Sequence, residues 1–216
     1  MTANIRESIA RRAAADLPEG AYVNLGVGIA TLVSDHIPPS KEVVFHSENG
    51  LLGMGPAPAG EPLDPDLVNA TKIPVSIVKG GAFFHHNDAF AMIRGGHIDY
   101  SLMGAFQVSA HGDLANWTIE GDKMPAIGGA MDLAVGAKNV WILMEHCTRK
   151  GEPKIVQSCL YPLTAAGVVK RIYTELAVLD VTTAGLVLRE MMPGVSFEKL
   201  QAMTASEIRM GPKGNA

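Results

Sequence analysis

The sequence predicts an α/β fold: a single three-layer αβα domain over residues 1–216, built on a largely parallel sheet. Short runs of strand length alternate with helix-like segments along the chain. Those runs are almost continuously apolar, as strands buried on both faces are. Glycines recur at their carboxyl ends, and neither an internal repeat nor a low-complexity linker divides the chain.

The elements follow in order. Thr2 or Asn4 can cap a first helix that shows Ile5, Ile9, Ala13 and Leu17 on one face, and Pro18 with Gly20 ends it. Ala21 to Leu25 reads as a strand, followed by Gly26-Val27-Gly28 and a helix over Ile29 to His36. A second strand ends near Phe45, and Gly50, Gly53 and Gly55 make residues 50–56 a loop. Proline and acid dominate residues 56–66, a surface loop by composition. Val75 to Lys79 is a strand, with Gly80-Gly81 at its end. Asp88 to Arg94 is a short helix capped by Asn87 or Asp88 and closed by Gly95-Gly96. Ile98 to Met103 returns as a strand, His111-Gly112-Asp113 turns between extended arms, and Val140 to Met144 is a buried strand. Residues 175–181 and 186–190 form a late hairpin around Thr183-Ala184-Gly185.

Bulk properties narrow the function. With 216 residues, 47% hydrophobic and 19% charged, the chain can bury a sizeable core and is not disordered. A formal net charge of −4 gives no footprint for DNA or RNA. Cys147 and Cys159 are too few for a disulfide framework, which implies a reducing compartment, the cytoplasm. MTANIRESIARRAAADL lacks the apolar core of a secretory signal, and no run approaches the ~20 apolar residues of a membrane helix.

In a parallel sheet, ligands collect beyond the carboxyl ends of the strands. Gly26-Val27-Gly28, Ser47-Glu48-Asn49-Gly50 and Gly80-Gly81 all fall at such ends. Glu48 is either a solvated turn carboxylate or the group onto which a loop brings substrate. The spacing of Gly50, Gly53 and Gly55 is G-x-x-G-x-G, not the dinucleotide fingerprint; it suits close approach of a phosphate or pantetheine chain, or simply a tight turn. Gly128-Gly129 before a helix supplies convergent N–H groups, for an oxyanion or for close packing. His85-His86 and His146-Cys147 lack the spacing of metal ligands, so no metal is expected.

Several segments together settle more than any one of them. AYVNLGVGIATLV, HSENGLLGMGP, GGAFFHHNDAFAMIRGGHID, MGAFQVSAHGDLANW, IGGAMDLAVGAKNV and GEPKIVQSCLYPLT, with RIYTELAVLDV after them, closely resemble the B subunits of the glutamate-nucleophile 3-oxoacid CoA-transferases. The resemblance implies that fold, and Glu48 of S-E-N-G as nucleophile. It also implies a glutamyl-CoA thioester reached by ping-pong exchange from succinyl-CoA, with Gly128 or Gly129 supplying the oxyanion donor. Gly26, Gly28, Asn49, Gly50, Gly53 and Gly55 would then contact substrate or CoA. CoA esters are substrates, and no cofactor is implied. A CoA-transferase A subunit is implied as partner, in a heterodimer or heterotetramer. GGAFFHH looks more like the enzymes acting on 3-oxoadipate than those acting on acetoacetate, and His85 or His86 could donate to the second carboxylate of 3-oxoadipate. The same rings could instead pack beside Phe83 and Phe84. A CoA-thioester hydrolase and a non-catalytic ligand-sensing module are the other readings. The chain departs from the family pattern at Ala30, at residues 120–122 and in the tail MTASEIRMGPKGNA.

Overall fold

A computed structural model describes residues 2–56, 64–69, 71–119, 121 and 126–211. Most of the proline-rich 56–66 segment, residues 120 and 122, and the last five residues of the tail lie outside these, as does the side chain of Thr2.

Helix α1 (Thr2–Asp16) buries Ile9 and Ala13, with Leu17 just beyond it, on the expected spacing; Asn4 lies within the helix rather than capping it. Strand β1 (Ala21–Leu25) leads into a 3-10 helix (Ile29–His36) where an α-helix is predicted. The tightening is local. Thr31 bonds back three residues to the Gly28 carbonyl through both its amide and its hydroxyl, and Ser34 repeats the hydroxyl bond to Thr31.

Strand β2 (Val43–Ser47) runs two residues past Phe45, so Glu48 follows the strand directly. The predicted glycine-rich loop is instead strand β3 (Leu51–Gly55), antiparallel to β2, and β4 (Ser76–Phe83) pairs with it in turn. Gly80-Gly81 therefore lies inside a strand rather than at its end. Helix α2 (His86–Arg94) is capped by His85, whose ring nitrogen accepts from the Asn87 amide; neither Asn87 nor Asp88 takes that place.

β5 (Tyr100–Met103) returns to the main sheet, and β6 (Gln107–Ser109) and β7 (Leu114–Ala115) are the predicted arms around His111-Gly112-Asp113. After α3 (Ala130–Gly136) come β8 (Asn139–Leu143) and β9 (Ile155–Val156). β10 (Val169–Tyr173) precedes the expected hairpin of β11 (Ala177–Thr182) and β12 (Gly185–Met191). Helix α4 (Phe197–Ala202) and β13 (Ile208–Met210) end the described fold. The sequence does not predict strands β9, β10 and β13 or helix α4; β9 and β13 are too short to show a period.

Ten strands form one sheet in the order β13-β12-β11-β10-β8-β5-β1-β2-β3-β4, and β7-β6-β9 form a small second sheet. The five central strands, β10 to β2, run parallel; antiparallel pairs extend both flanks. Both faces are covered. Along β8, Trp141 and Leu143 join the core under α1 and the 3-10 helix, while Val140 and Ile142 join the core under α2, α3 and α4. This strict alternation of two buried sets is why the strands read as unbroken apolar runs.

Candidate active site

Glu48 sits half-buried in the β2–β3 turn, which the Gly50 N–H closes by donating to the Ser47 carbonyl at 3.0 Å. Its carboxylate accepts from the Asn24 side-chain amide at 3.3 Å. Asn24 is fully buried in the middle of β1, flanked in register by His46 on β2 and Ser101 on β5. The same Asn24 Nδ2 lies 3.1 Å from His46 Nδ1 and 3.2 Å from the His46 carbonyl. Two acceptors around one NH2 group, the Glu48 carboxylate and the His46 carbonyl, fix its orientation, so that an N–H rather than the amide oxygen faces Glu48. Burial pushes the His46 pKa down to about 4, which leaves its ring neutral. Sequence reasoning singles out neither Asn24 nor His46. The available signal is a carboxamide in the middle of an apolar strand, a position that demands a partner.

A cavity of about 550 Å³ opens beside Glu48, beyond the carboxyl ends of β1 and β5. Gly26, Gly128 and Gly129 line it together with Glu48, so candidates spread between residues 26 and 129 of the chain meet at one place, joined by Lys154, which sequence reasoning does not single out. Among the described residues, nothing accepts a hydrogen bond from the N–H of Gly128 or Gly129. Gly26 differs: its N–H is spent on the Leu102 carbonyl at 2.7 Å. Gly28 lines an adjoining cavity of about 390 Å³ that shares Val27, Phe106 and Lys154 with the first. A carboxylate that shares a mostly apolar cavity with two glycines whose N–H groups are unspent among the described residues has the groups needed to add to a carbonyl and to stabilise the resulting oxyanion.

The remaining candidates lie outside that cavity wall. Asn49 turns its amide to the Val68 carbonyl at 2.8 Å. Gly50, Gly53 and Gly55 face β4 and its continuation. A Cβ on them would come within 2.2 Å of the Phe84 oxygen, 2.9 Å of the Gly81 Cα and 2.5 Å of the Ser76 hydroxyl, respectively. The His86 ring lies 2.8 Å from the Glu48 backbone carbonyl and rests on Phe90, at 4.8 Å between centroids. His146 is fully buried, with both ring nitrogens on threonine hydroxyls, those of Thr174 at 3.0 Å and Thr204 at 2.8 Å. Cys147 and Cys159 are free thiols whose pKa burial raises.

A family model for coenzyme A transferase matches residues 6–202. The chain belongs to the coenzyme A transferase family. It is 53% identical to the B subunit of the 3-oxoadipate CoA-transferase of Acinetobacter baylyi, over 94% of each chain. It is 46% identical to the B subunit of the succinyl-CoA:3-ketoacid coenzyme A transferase of Helicobacter pylori, over 95% of this chain and 99% of that one. Among solved structures, an acyl-CoA transferase apoenzyme from Escherichia coli O157:H7 superposes with a TM-score of 0.75 at 21% identity; the match covers 97% of this chain but only 42% of that longer chain. The fold expected from the resemblance is thus the fold observed, and CoA transfer is its activity class. No described helix is long and apolar enough to cross a membrane.

Proposed function

We propose that this chain is the B subunit of an enzyme that moves CoA from succinyl-CoA to a 3-oxo acid, 3-oxoadipate first among them, through a thioester on Glu48. The observation that carries the reading is the cavity that Glu48 lines together with Gly128 and Gly129, whose N–H groups have no acceptor among the described residues. The relative at 53% identity supports the acceptor, being named for 3-oxoadipate.

In this mechanism the Glu48 carboxylate attacks the thioester carbonyl of succinyl-CoA, and the C–S bond breaks to give CoA thiolate and a succinyl-glutamyl anhydride. The thiolate attacks the glutamyl carbonyl of the anhydride. Succinate leaves, and Glu48 becomes the CoA thioester. The 3-oxo acid carboxylate then attacks that thioester, forming a new anhydride, and the expelled thiolate takes the acyl group away as its CoA ester. Atoms balance without ATP or another cofactor, and the kinetics are ping-pong. Every addition places negative charge on a carbonyl oxygen, which the Gly128 and Gly129 N–H groups would receive. The Asn24 N–H, 3.3 Å from the Glu48 carboxylate, orients the group that attacks.

Water would hydrolyse both intermediates, so the cavity must be closed during the exchange. Val27 and Phe106, on its wall, are 68% and 39% exposed, and an apolar rim of this kind suits cover by a partner chain. We assign that cover to an A subunit, in a heteromeric pair working in the cytoplasm. The test is CoA transfer by this chain co-produced with the A subunit, offered 3-oxoadipate and acetoacetate separately. Higher kcat/KM for 3-oxoadipate supports the reading. A preference for acetoacetate moves the chain toward the role for which the Helicobacter relative is named. Release of free thiol without any acceptor acid would make it a hydrolase.

A further inference from the structure

Lys154 lines the Glu48 cavity and its neighbour alike, and no other lysine or arginine is among the described residues on the wall of the Glu48 cavity. Among the described residues no carboxylate lies within 4.0 Å of its amine. The two acids nearest in charge are already engaged: Glu145 holds Arg6 at 3.3 Å, and Glu175 accepts from the His146 backbone N–H at 2.9 Å. Burial pulls the Lys154 pKa below the ordinary lysine value, against the opposing pull of Glu145, Glu175 and Cys147. The ammonium is therefore partly desolvated, with Glu145 and Glu175 acting on it only from beyond 4.0 Å, and a carboxylate brought into the cavity would restore part of what burial removed. Val27, Met103, Ala105 and Phe106 complete an apolar wall that weakens the screening of such a pair. His85 and His86, the sequence candidates for this task, do not line the cavity; each commits a ring nitrogen to backbone.

We propose that Lys154 is the subsite for the second carboxylate of a dicarboxylic acid whose first carboxylate reacts at Glu48, and so sets preference for dicarboxylic over monocarboxylic acceptors. This rests on the CoA-transfer reading above. An acceptor with a single carboxylate leaves the amine unpaired, which penalises it relative to a dicarboxylate.

The experiment is a cycle on the complex with the A subunit, using succinyl-CoA as donor. Acceptors are 3-oxoadipate, its ester with the distal carboxylate masked by methyl, and acetoacetate; enzymes are wild type, K154M and K154R. In ping-pong kinetics the acceptor kcat/KM reports only the half-reaction the acceptor enters, so changes in donor handling cancel. K154M should lower kcat/KM for 3-oxoadipate roughly 10- to 100-fold. It should leave the masked ester and acetoacetate within about threefold of wild type, since those pairs have no interaction to lose. Wild type should discriminate against the masked ester by the same factor, and K154R should keep part of the preference. An equal loss for all three acids, or an undiminished preference in K154M, overturns the proposal. Loss of the preference in a His85→Ala, His86→Ala double variant while K154M keeps it would return the second carboxylate to the histidines. Should K154M not assemble with the A subunit, K154Q carries the same comparison. Transfer by wild type to none of the acids would instead defeat the functional reading itself, an outcome distinct from lost discrimination.

Discussion

Two glycine-rich stretches lie near Glu48, one on the wall of its cavity and one outside it, and they spend their glycines differently. In the β2–β3 hairpin, a side chain on Gly50, with φ +104°, would drive into the Phe84 carbonyl oxygen at 2.2 Å. The corner before α3 is the reverse. Gly128, at φ +52°, has nothing within 4 Å of where a Cβ would stand, and its N–H and that of Gly129 find no described acceptor. The hairpin glycines let strands approach each other. The corner glycines line the cavity and leave their donors unspent among the described residues. Spacing in the sequence does not separate these uses; a Cβ on the hairpin glycines would meet backbone or the side chains of the neighbouring strand, whereas on Gly128 it would meet nothing and on Gly129 only the Phe90 ring tip.

Breaking the chemistry while sparing both stretches gives the largest effect. Glu48→Ala should lower transfer by about 10⁴-fold or more with the melting temperature nearly unchanged, measured on the complex with the A subunit. A residual rate within tenfold of wild type would contradict it.

The corner can be dissected next. Gly129 has φ −81°, which proline also adopts, so Gly129→Pro removes the N–H while keeping that φ. Gly129→Ala is its control, because either side chain displaces the Phe90 ring tip, 2.8 Å from where the Cβ would stand, while alanine keeps the N–H. The proline variant should fall about 10²- to 10³-fold in kcat below the alanine variant. Equal rates would remove Gly129 from the oxyanion role.

The hairpin responds in stability rather than chemistry. Gly50→Ala combines the contact with the Phe84 oxygen and a positive φ, and should cost roughly 3 kcal/mol or more in a denaturant titration. A loss below about 1 kcal/mol would show that the strands are less tightly locked than the geometry says.

The smallest effect is graded with pH. Buried His46 and His146 both have their pKa lowered to about 4 from 6.5. The unfolded chain therefore takes up these protons first, and the stability from the neutral rings is complete above pH 6.5 and lost as pH falls toward 4. Each histidine adds up to about 1.4 kcal/mol per pH unit to that slope. His146→Gln should flatten it by roughly one histidine's share. An unchanged slope would mean that His146 titrates normally in the fold.

Much of this is legible in the sequence because each buried strand announces itself as an apolar run, and because Glu48 follows one directly. The main departure of the fold from the sequence reading is also physical. Leu51 to Gly55 reads as a loop since glycine disfavours strands, yet here close pairing with β4 requires it. Asn24 and Lys154 escape sequence reasoning because their meaning lies across the fold: Asn24 meets Glu48 from another strand, and Lys154 reaches the cavity from the segment before β9. No local pattern encodes either meeting. The capping role of His85 is hidden by better-known caps beside it, Asn87 and Asp88.

The most direct test of the account is to trap the intermediate. The complex with the A subunit would be mixed with succinyl-CoA in the absence of acceptor acid, quenched, and this chain analysed by mass spectrometry after proteolysis. The account predicts a CoA thioester, CoA added with loss of water, on the peptide carrying Ser47-Glu48-Asn49, discharged when an acceptor acid is added before the quench. CoA attached at another residue, or full transfer activity with no adduct on Glu48, would contradict it.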